Sequence, residues 1–283
     1  MRVAFLIVTY TNPAQTKQLV EQLAHPDFHF YIHLDKKFPL ESHKEIFELP
    51  NVFFIKDRVD VKWAGFSTIQ CILNSFEEIL ATKKHYDFIH LMSGQDFPVQ
   101  STNAIHSFLS KNIGKEFIEA KHFYTEWKEA IPRIELYHLH EFNARGVHRM
   151  GGLLNAILPK RKCPLGYEYY GKSMFWTISL AAAFHICKVF KKNWRFKMFV
   201  RFTWAPDEFI IPTILMNSPL KNHVVRNNLL YVDMPEGTSH PKLLDETDFP
   251  IIQESGRFFA RKFKIEETPT VLNNLKLFIN TNN

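Results

Sequence analysis

Phe28-His29-Phe30-Tyr31-Ile32-His33-Leu34-Asp35 is the stretch on which the fold turns. An aromatic and β-branched run of this length reads as a buried strand, and it stops at a carboxylate. Upstream, Val3–Thr9 has the same character. It is too short to span a bilayer and has no small-residue cleavage site, so it reads as a first buried strand. Between the two, Asn12-Pro13 opens a helix running to Leu23. Downstream, Val52–Ile55 is a third short strand. Ser67–Ala81 is a helix with Ile69, Ile72, Leu73, Phe76, Ile79 and Leu80 at helical spacing. Phe88–Met92 is a fourth strand, closed by Ser93-Gly94-Gln95-Asp96, and Asn103–Leu109 is another helix. This β-α-β-β-α-β order predicts an α/β fold with a mostly parallel central sheet flanked by helices. Such sheets bind ligands beyond the carboxyl ends of their strands, where Asp35 and Asp96 both fall.

Composition is that of a globular chain: 283 residues, 46% hydrophobic and 23% charged. The net charge of +6 suits an anionic ligand or an anionic membrane surface. It is too dispersed for a nucleic-acid-binding protein, and no nucleic-acid motif is present. Its densest part, Lys188 to Arg201, interleaves Phe190, Trp194, Phe196 and Phe199 with six cations. A solvated helix face with an apolar back explains it, and a membrane-surface patch is the alternative. Cys71, Cys163 and Cys187 fit no metal spacing, and an odd count argues against a disulfide framework. They read as inert thiols of a reducing compartment.

From Phe123 to Tyr170 the pattern loses its period. This segment carries Trp127, Arg133, Tyr137, His138, His140, Arg145, His148 and Arg149, and reads as an irregular excursion. His138 and His140 are better explained as surface or structural histidines than as metal ligands. Gly171–Leu180 returns to a strand. Thr203-Trp204-Ala205-Pro206-Asp207-Glu208-Phe209 then leads into a helix expected over Ala205–Met216, with Pro206 in its first turn. Two adjacent carboxylates at a helix start serve most often as caps or solvated charges. The tail, Phe258-Phe259-Ala260-Arg261-Lys262-Phe263-Lys264, is aromatic and basic, and a helix follows over Thr270–Ile279. No Asp-x-Asp occurs anywhere in the chain.

Six short segments, in order, resemble the core-2/I-branching β-1,6-N-acetylglucosaminyltransferase family, which includes the peptide O-xylosyltransferases. They are Ile32–Lys37, Val61-Lys62-Trp63-Ala64-Gly65-Phe66-Ser67, His90–Pro98, Gly171-Lys172-Ser173-Met174-Phe175-Trp176, Ala205-Pro206-Asp207-Glu208 and Phe259–Phe263. Each is short, and the ordered set is what is specific. The resemblance implies a GT-A-type glycosyltransferase fold and inverting transfer from a UDP-sugar. It places Asp35 by the uracil, Glu208 as general base with Asp207 supporting it, and Lys262 on the diphosphate. The family's second diphosphate-binding arginine has no match; the region holds His240 and Lys242, so Arg261 or Lys242 is the substitute. On this resemblance the chain is expected to be one of the shorter bacterial members, without the animal members' N-terminal anchor and cysteine pattern.

These readings set the expectations. One glycosyltransferase domain is expected over residues 1–283, with a nucleotide-binding half (1–120) and an acceptor and catalytic half (121–283). Without an Asp-x-Asp, fixed cations neutralise the leaving diphosphate, and neither metal nor cofactor is required. Lys262 and Arg261 are the binding cations, with Lys264 beside them. Asp96 binds a sugar hydroxyl or caps the next turn. Trp63 stacks near the nucleotide or belongs to the core, and Trp176 and Tyr170 carry the same two readings. The expected donor carries N-acetylglucosamine, with UDP-xylose or UDP-glucose as alternatives. The acceptor is a glycan or a lipid-linked saccharide. A cytoplasmic location is expected, with peripheral contact at an anionic inner-membrane surface. A non-catalytic carbohydrate- or nucleotide-binding relative is the competing class.

Overall fold

The computed structural model describes residues 1–10, 12–139, 141, 146–238 and 240–281, and of His148 only the backbone. His140 and Arg145, noted in the sequence, lie outside the described residues. In chain order the strands are β1 Val3–Thr9, β2 Phe28–Leu34, β3 Val52–Phe54, β4 Phe88–Ser93, β5 Asp96–Pro98, β6 Glu116–Ile118, β7 Lys121–His122, β8 Tyr170–Gly171, β9 Trp176–Ile178, β10 Val224–Arg226, β11 Leu230–Val232 and β12 Phe259–Arg261. The chain forms two compact units. The first comprises Met1–Lys56, His85–Gly114 and Leu229–Asn283, and the second comprises Asp57–Lys84 and Lys115–Asn228.

In the first unit, β4, β1, β2 and β3 lie side by side and all pair in parallel. Buried on both faces, such strands favour near-continuous apolar sequence, which Val3–Thr9 follows closely and Phe28–Leu34 follows apart from His29 and the buried His33. Phe5 anchors the core, with its ring 5.0 Å from Phe28, 5.6 Å from Phe30 and 5.4 Å from His90. Helices Pro13–Gln22, Thr102–Ser110 and Pro269–Thr281 belong to this unit. A smaller sheet pairs β11 with β12 in parallel and β12 with β5 antiparallel, which sets Arg261 opposite Asp96.

In the second unit, β6 lies between β10 (parallel) and β9 (antiparallel), and β7 pairs with β8. Its helices include Phe66–Ala81, Val147–Ile157, Leu180–Lys192, Trp194–Arg201 and Ile210–Met216. Phe123 is a hub, with ring centroids 4.9 Å from Trp127, 5.0 Å from Phe209 and 5.7 Å from Tyr169.

The α/β expectation is met, and several local expectations are revised. The excursion from Phe123 to Tyr170 contains an eleven-residue helix, Val147–Ile157. The expected strand Gly171–Leu180 is reduced to Gly171 at the end of β8 and to β9, which stops where Ser179 caps the following helix through Ala182 N. The expected helix Ala205–Met216 is a 3-10 turn, Pro206–Glu208, then a separate helix from Ile210. Trp63 is 66% exposed, which removes it from the core. Trp176 and Tyr170 are buried, as core aromatics are. Among the described residues no helix is long and apolar enough to cross a membrane.

Candidate active site

In the first unit, the carboxyl ends of the parallel strands converge. The Asp35 N–H donates to Thr9 O at 2.9 Å, and the Gly94 N–H donates to Val8 O at 3.1 Å. Gly94 packs so closely that a Cβ there would lie 2.5 Å from Thr9 Oγ1 and 2.9 Å from Thr16 Oγ1. Only glycine fits that approach. Asp35 is buried just past β2. Its Oδ1 accepts from Lys37 N at 2.9 Å, and its Oδ2 lies 3.2 Å from Lys37 Nζ.

Asp96 is fully buried and closes the turn after β4. Its Oδ2 accepts from Ser93 N and its Oδ1 from Ser93 Oγ, both at 2.8 Å, and Arg261 stands 3.4 Å away. Burial pushes the Asp96 carboxyl up, opposed by Arg261 and by the Ser93 hydrogen bonds. Of the two expected roles, the structure displays turn closure.

The basic tail separates into paired and unpaired cations. Arg261 faces Asp96, Lys264 Nζ lies 2.6 Å from Glu267, and Lys242 Nζ lies 2.7 Å from Asp248. Among the described residues no carboxylate pairs with Lys262. Its ammonium is held below the usual lysine range by burial first, and then by Arg261 and Lys264. Gln15, buried in the first helix, fixes the strand beyond Lys262. Its Nε2 donates to Phe263 O and its Oε1 accepts from Ile265 N, both at 3.0 Å. The Phe263 N–H donates to Gln95 O at 2.9 Å. Lys262 therefore issues from backbone tied on both flanks, one strand away from Asp96.

In the second unit, Glu208 ends the Pro206–Glu208 turn, and its side chain is 36% exposed. Arg133 Nη1 donates to Glu208 Oε2 at 2.5 Å. The Arg133 guanidinium lies over two indoles, 4.4 Å from the Trp204 ring centre and 4.9 Å from that of Trp127. A planar cation packed this way has little freedom left, so it positions its partner. The neighbouring Asp207 is buried. Burial first, then the charge of Glu208, pushes its carboxyl up to about 7, and Oδ1 has no hydrogen-bond partner among the described residues.

Two Trp-Ala turns support this arrangement. Ala64 and Ala205 both adopt left-handed backbone, with φ of 58° and 45°. That conformation is costly for a residue bearing a Cβ and gathers at functional sites. The Ala205 N–H donates to Ala64 O at 2.8 Å, and Trp63 meets Trp204 edge-on with centroids 6.2 Å apart. Gly171 presses onto the Glu208-Phe209 backbone, where a Cβ would lie 2.3 Å from Phe209 Cβ. Lys172 N donates to Glu208 O at 3.1 Å, and Lys172 Nζ lies 5.0 Å from the Trp127 ring centre. The half-buried guanidinium of Arg161 donates to Leu136 O at 2.8 Å and Phe202 O at 2.6 Å, and also to Phe199 O, fixing the approach to Trp204.

The structure thus groups Asp35, Asp96, Arg261 and Lys262 within one unit, and Trp63, Asp207 and Glu208 within the other. Arg133 and Gln15 escaped the sequence reading as site residues. Arg133 sits 75 positions from its partner, and no local pattern marks it. His138 Nε2 donates to Pro132 O, 3.1 Å away, a structural role.

A sequence model of the Core-2/I-Branching enzyme family matches residues 3–254, most of the chain. The chain belongs to this family of glycosyltransferases. Among curated relatives, it is 26% identical to xylosyltransferase 2 of Rattus norvegicus over 303 aligned residues, covering 96% of this chain and 33% of that protein. It is 30% identical to xylosyltransferase oxt of Drosophila melanogaster over 124 residues, covering 42% of this chain and 14% of that protein. The chain spans about a third of the length of the first of these relatives. Among solved structures, mouse xyloside xylosyltransferase 1 superposes with a TM-score of 0.43 at 10% identity, covering 92% of this chain and 96% of that one.

Proposed function

We propose that this chain is an inverting glycosyltransferase that moves a sugar from a UDP-sugar to a hydroxyl of a glycan acceptor without a metal. The observation that carries the reading is Glu208, a solvent-reaching carboxylate fixed by a guanidinium itself stacked on two tryptophans. As general base, Glu208 takes the proton of the acceptor hydroxyl while that oxygen bonds to the anomeric carbon. The bond to the diphosphate breaks, and UDP leaves with the electron pair. Geometry ranks ahead of pKa in choosing a base. Asp207 is buried, and Glu208 is not.

Lys262 is assigned to the diphosphate. It is the cation of the tail without a carboxylate partner among the described residues, and burial heightens the value of a charge to an anion. Arg261 and Lys242, the substitutes for the missing arginine, are each held by an aspartate, so a single lysine carries this role. Asp35 is assigned to the uracil edge. The names of the relatives favour UDP-xylose as donor over N-acetylglucosamine. The test is a thermal-shift series in EDTA with UDP, UDP-xylose, UDP-N-acetylglucosamine and UDP-glucose. A ligand that binds only the folded chain raises its midpoint. A rise with UDP and a larger one with a single UDP-sugar is expected. No rise with any of them, or a rise only after Mn²⁺ is added, would contradict the reading.

The acceptor is a glycan or a lipid-linked saccharide reached at an anionic membrane surface. In support, the cationic helices of the second unit expose Phe184, Trp194 and Met198, and Val147–Ile157 exposes Met150, Leu153 and Ile157. Apolar side chains set among Lys and Arg are what an interfacial helix presents. Sedimentation with anionic vesicles, lost in zwitterionic vesicles and in high salt, is the expected result.

A further inference from the structure

At the amino ends of β1 and β2, the sheet carries a different cluster. His25 and Asp27 lie on the turn that leads into β2, and His106 lies on helix Thr102–Ser110. His106 Nε2 is 2.8 Å from Asp27 Oδ2. The two imidazoles stack with centroids 4.5 Å apart and planes 30° from parallel. One nitrogen from each histidine and one Asp27 oxygen all fall within 4.8 Å of one another. Among the described residues no other group of three His, Cys, Asp or Glu side chains is so compact.

We propose that His25, Asp27 and His106 bind one divalent transition-metal ion, zinc being the best fit. Two imidazoles and a carboxylate are a borderline donor set that suits zinc, whereas calcium and magnesium favour all-oxygen shells. Zinc bonds of ~2.0–2.2 Å set tetrahedral ligand atoms ~3.4 Å apart. His106 Nε2 and Asp27 Oδ2 are 2.8 Å apart and the three ligand atoms lie within 4.8 Å of one another, which is the range that value needs. His25 Nδ1 now accepts from Asp27 N at 3.1 Å, and metal binding through that nitrogen would release this contact. The ion takes the place of the proton shared by His106 and Asp27, and water completes the tetrahedron. All three side chains are partly exposed, which leaves an entry path. The Asp27 carbonyl accepts from Val3 N at 3.0 Å, so the ion would tie the start of the sheet to helix Thr102–Ser110. A seven-residue strand, ~20 Å long, separates this end from Asp35. The site is therefore a stabilising one within the first unit, separate from the transfer chemistry.

The test titrates Zn²⁺ into the full chain after chelator treatment, by calorimetry, with thermal melts and Co²⁺ spectra alongside. One Zn²⁺ per chain, a raised midpoint and the visible absorption of tetrahedral Co²⁺ are expected. His25→Ala and His106→Ala should each weaken Zn²⁺ binding by at least ~100-fold, since even losing a ligand's supporting partner costs 10–100-fold. UDP affinity should be the same with and without Zn²⁺. Should one variant fail to fold in chelator, the other decides. No stoichiometric Zn²⁺ in the native chain, or native affinity in a folded variant, would overturn the proposal.

Discussion

Arg133 Nη1 donates to Glu208 Oε2 across 2.5 Å, while its guanidinium plane rests against Trp204 and Trp127. The pair couples the turn that carries the proposed base to the aromatic hub around Phe123. A guanidinium can donate along its edge while its flat face stacks on two indoles, and an ammonium has no plane to lay between them. Arg133→Lys is therefore expected to behave like Arg133→Ala. Both should lower turnover by about 10²-fold through misplacement of Glu208, with donor affinity unchanged. Steady-state kinetics with donor and acceptor varied separately would show it. Full activity in Arg133→Lys would reduce the contact to simple charge.

Asp207 gives a dependence of stability on pH. Its carboxyl is pushed up to about 7 by burial and by Glu208, against ~3.9 in an unfolded chain. Between those values the folded chain holds more protons than the unfolded one. Stability from this group is thus full at about pH 4 and declines as pH rises through about 7. Asp207→Asn removes the titration. Melting curves at pH 5 and pH 8 should show wild type losing stability relative to the variant as pH rises. Parallel behaviour would mean that the carboxyl is ionised in the folded chain.

Lys262 should separate phosphate from base recognition. Lys262→Ala is expected to weaken UDP binding by ~10-fold or more, the scale of one lost charge-assisted contact, while uridine affinity stays the same. Calorimetry with the two ligands reads the difference. Equal losses for both would place the effect in the fold.

Gln15 tests how that lysine is held. Its amide satisfies Phe263 O and Ile265 N in buried surroundings. Gln15→Ala leaves both unpaired, which should cost ~1–3 kcal/mol and weaken UDP binding together with stability. Denaturant unfolding gives the first quantity. No loss of stability would mean that water replaces the amide.

Much of the first unit was legible in the sequence. Val3–Thr9 and Phe28–Leu34 form the strands expected of them, because doubly buried parallel strands are mostly apolar and aromatic along their length, here with His29 and His33 as the exceptions in the second. The helix expected from Ser67 starts one residue earlier, at Phe66. In the second unit β6 and β9 are three residues long, too short for alternation to register. Val147–Ile157 escaped because Met150, Leu153 and Ile157 point to solvent and Gly151-Gly152 interrupt it. The helix break at Phe209, with φ −147°, follows from Gly171 and Lys172 packing onto that backbone, a contact between distant segments. Glu208 lies in the 3-10 turn before the helix that starts at Ile210, and Arg133 is its positioning partner. Motif order pointed to Glu208 and Lys262, whereas the partners that hold them are visible only in three dimensions.

Glu208→Gln tests the central claim most directly. The amide keeps the shape and can still face Arg133, but it cannot accept the acceptor's proton. With folding verified by a melting curve, the variant should bind the UDP-sugar as wild type does. Its transfer to acceptor should be slower by at least ~10²-fold, the lower end for a lost general base. Transfer near the wild-type rate would contradict the account and move the base to another carboxylate.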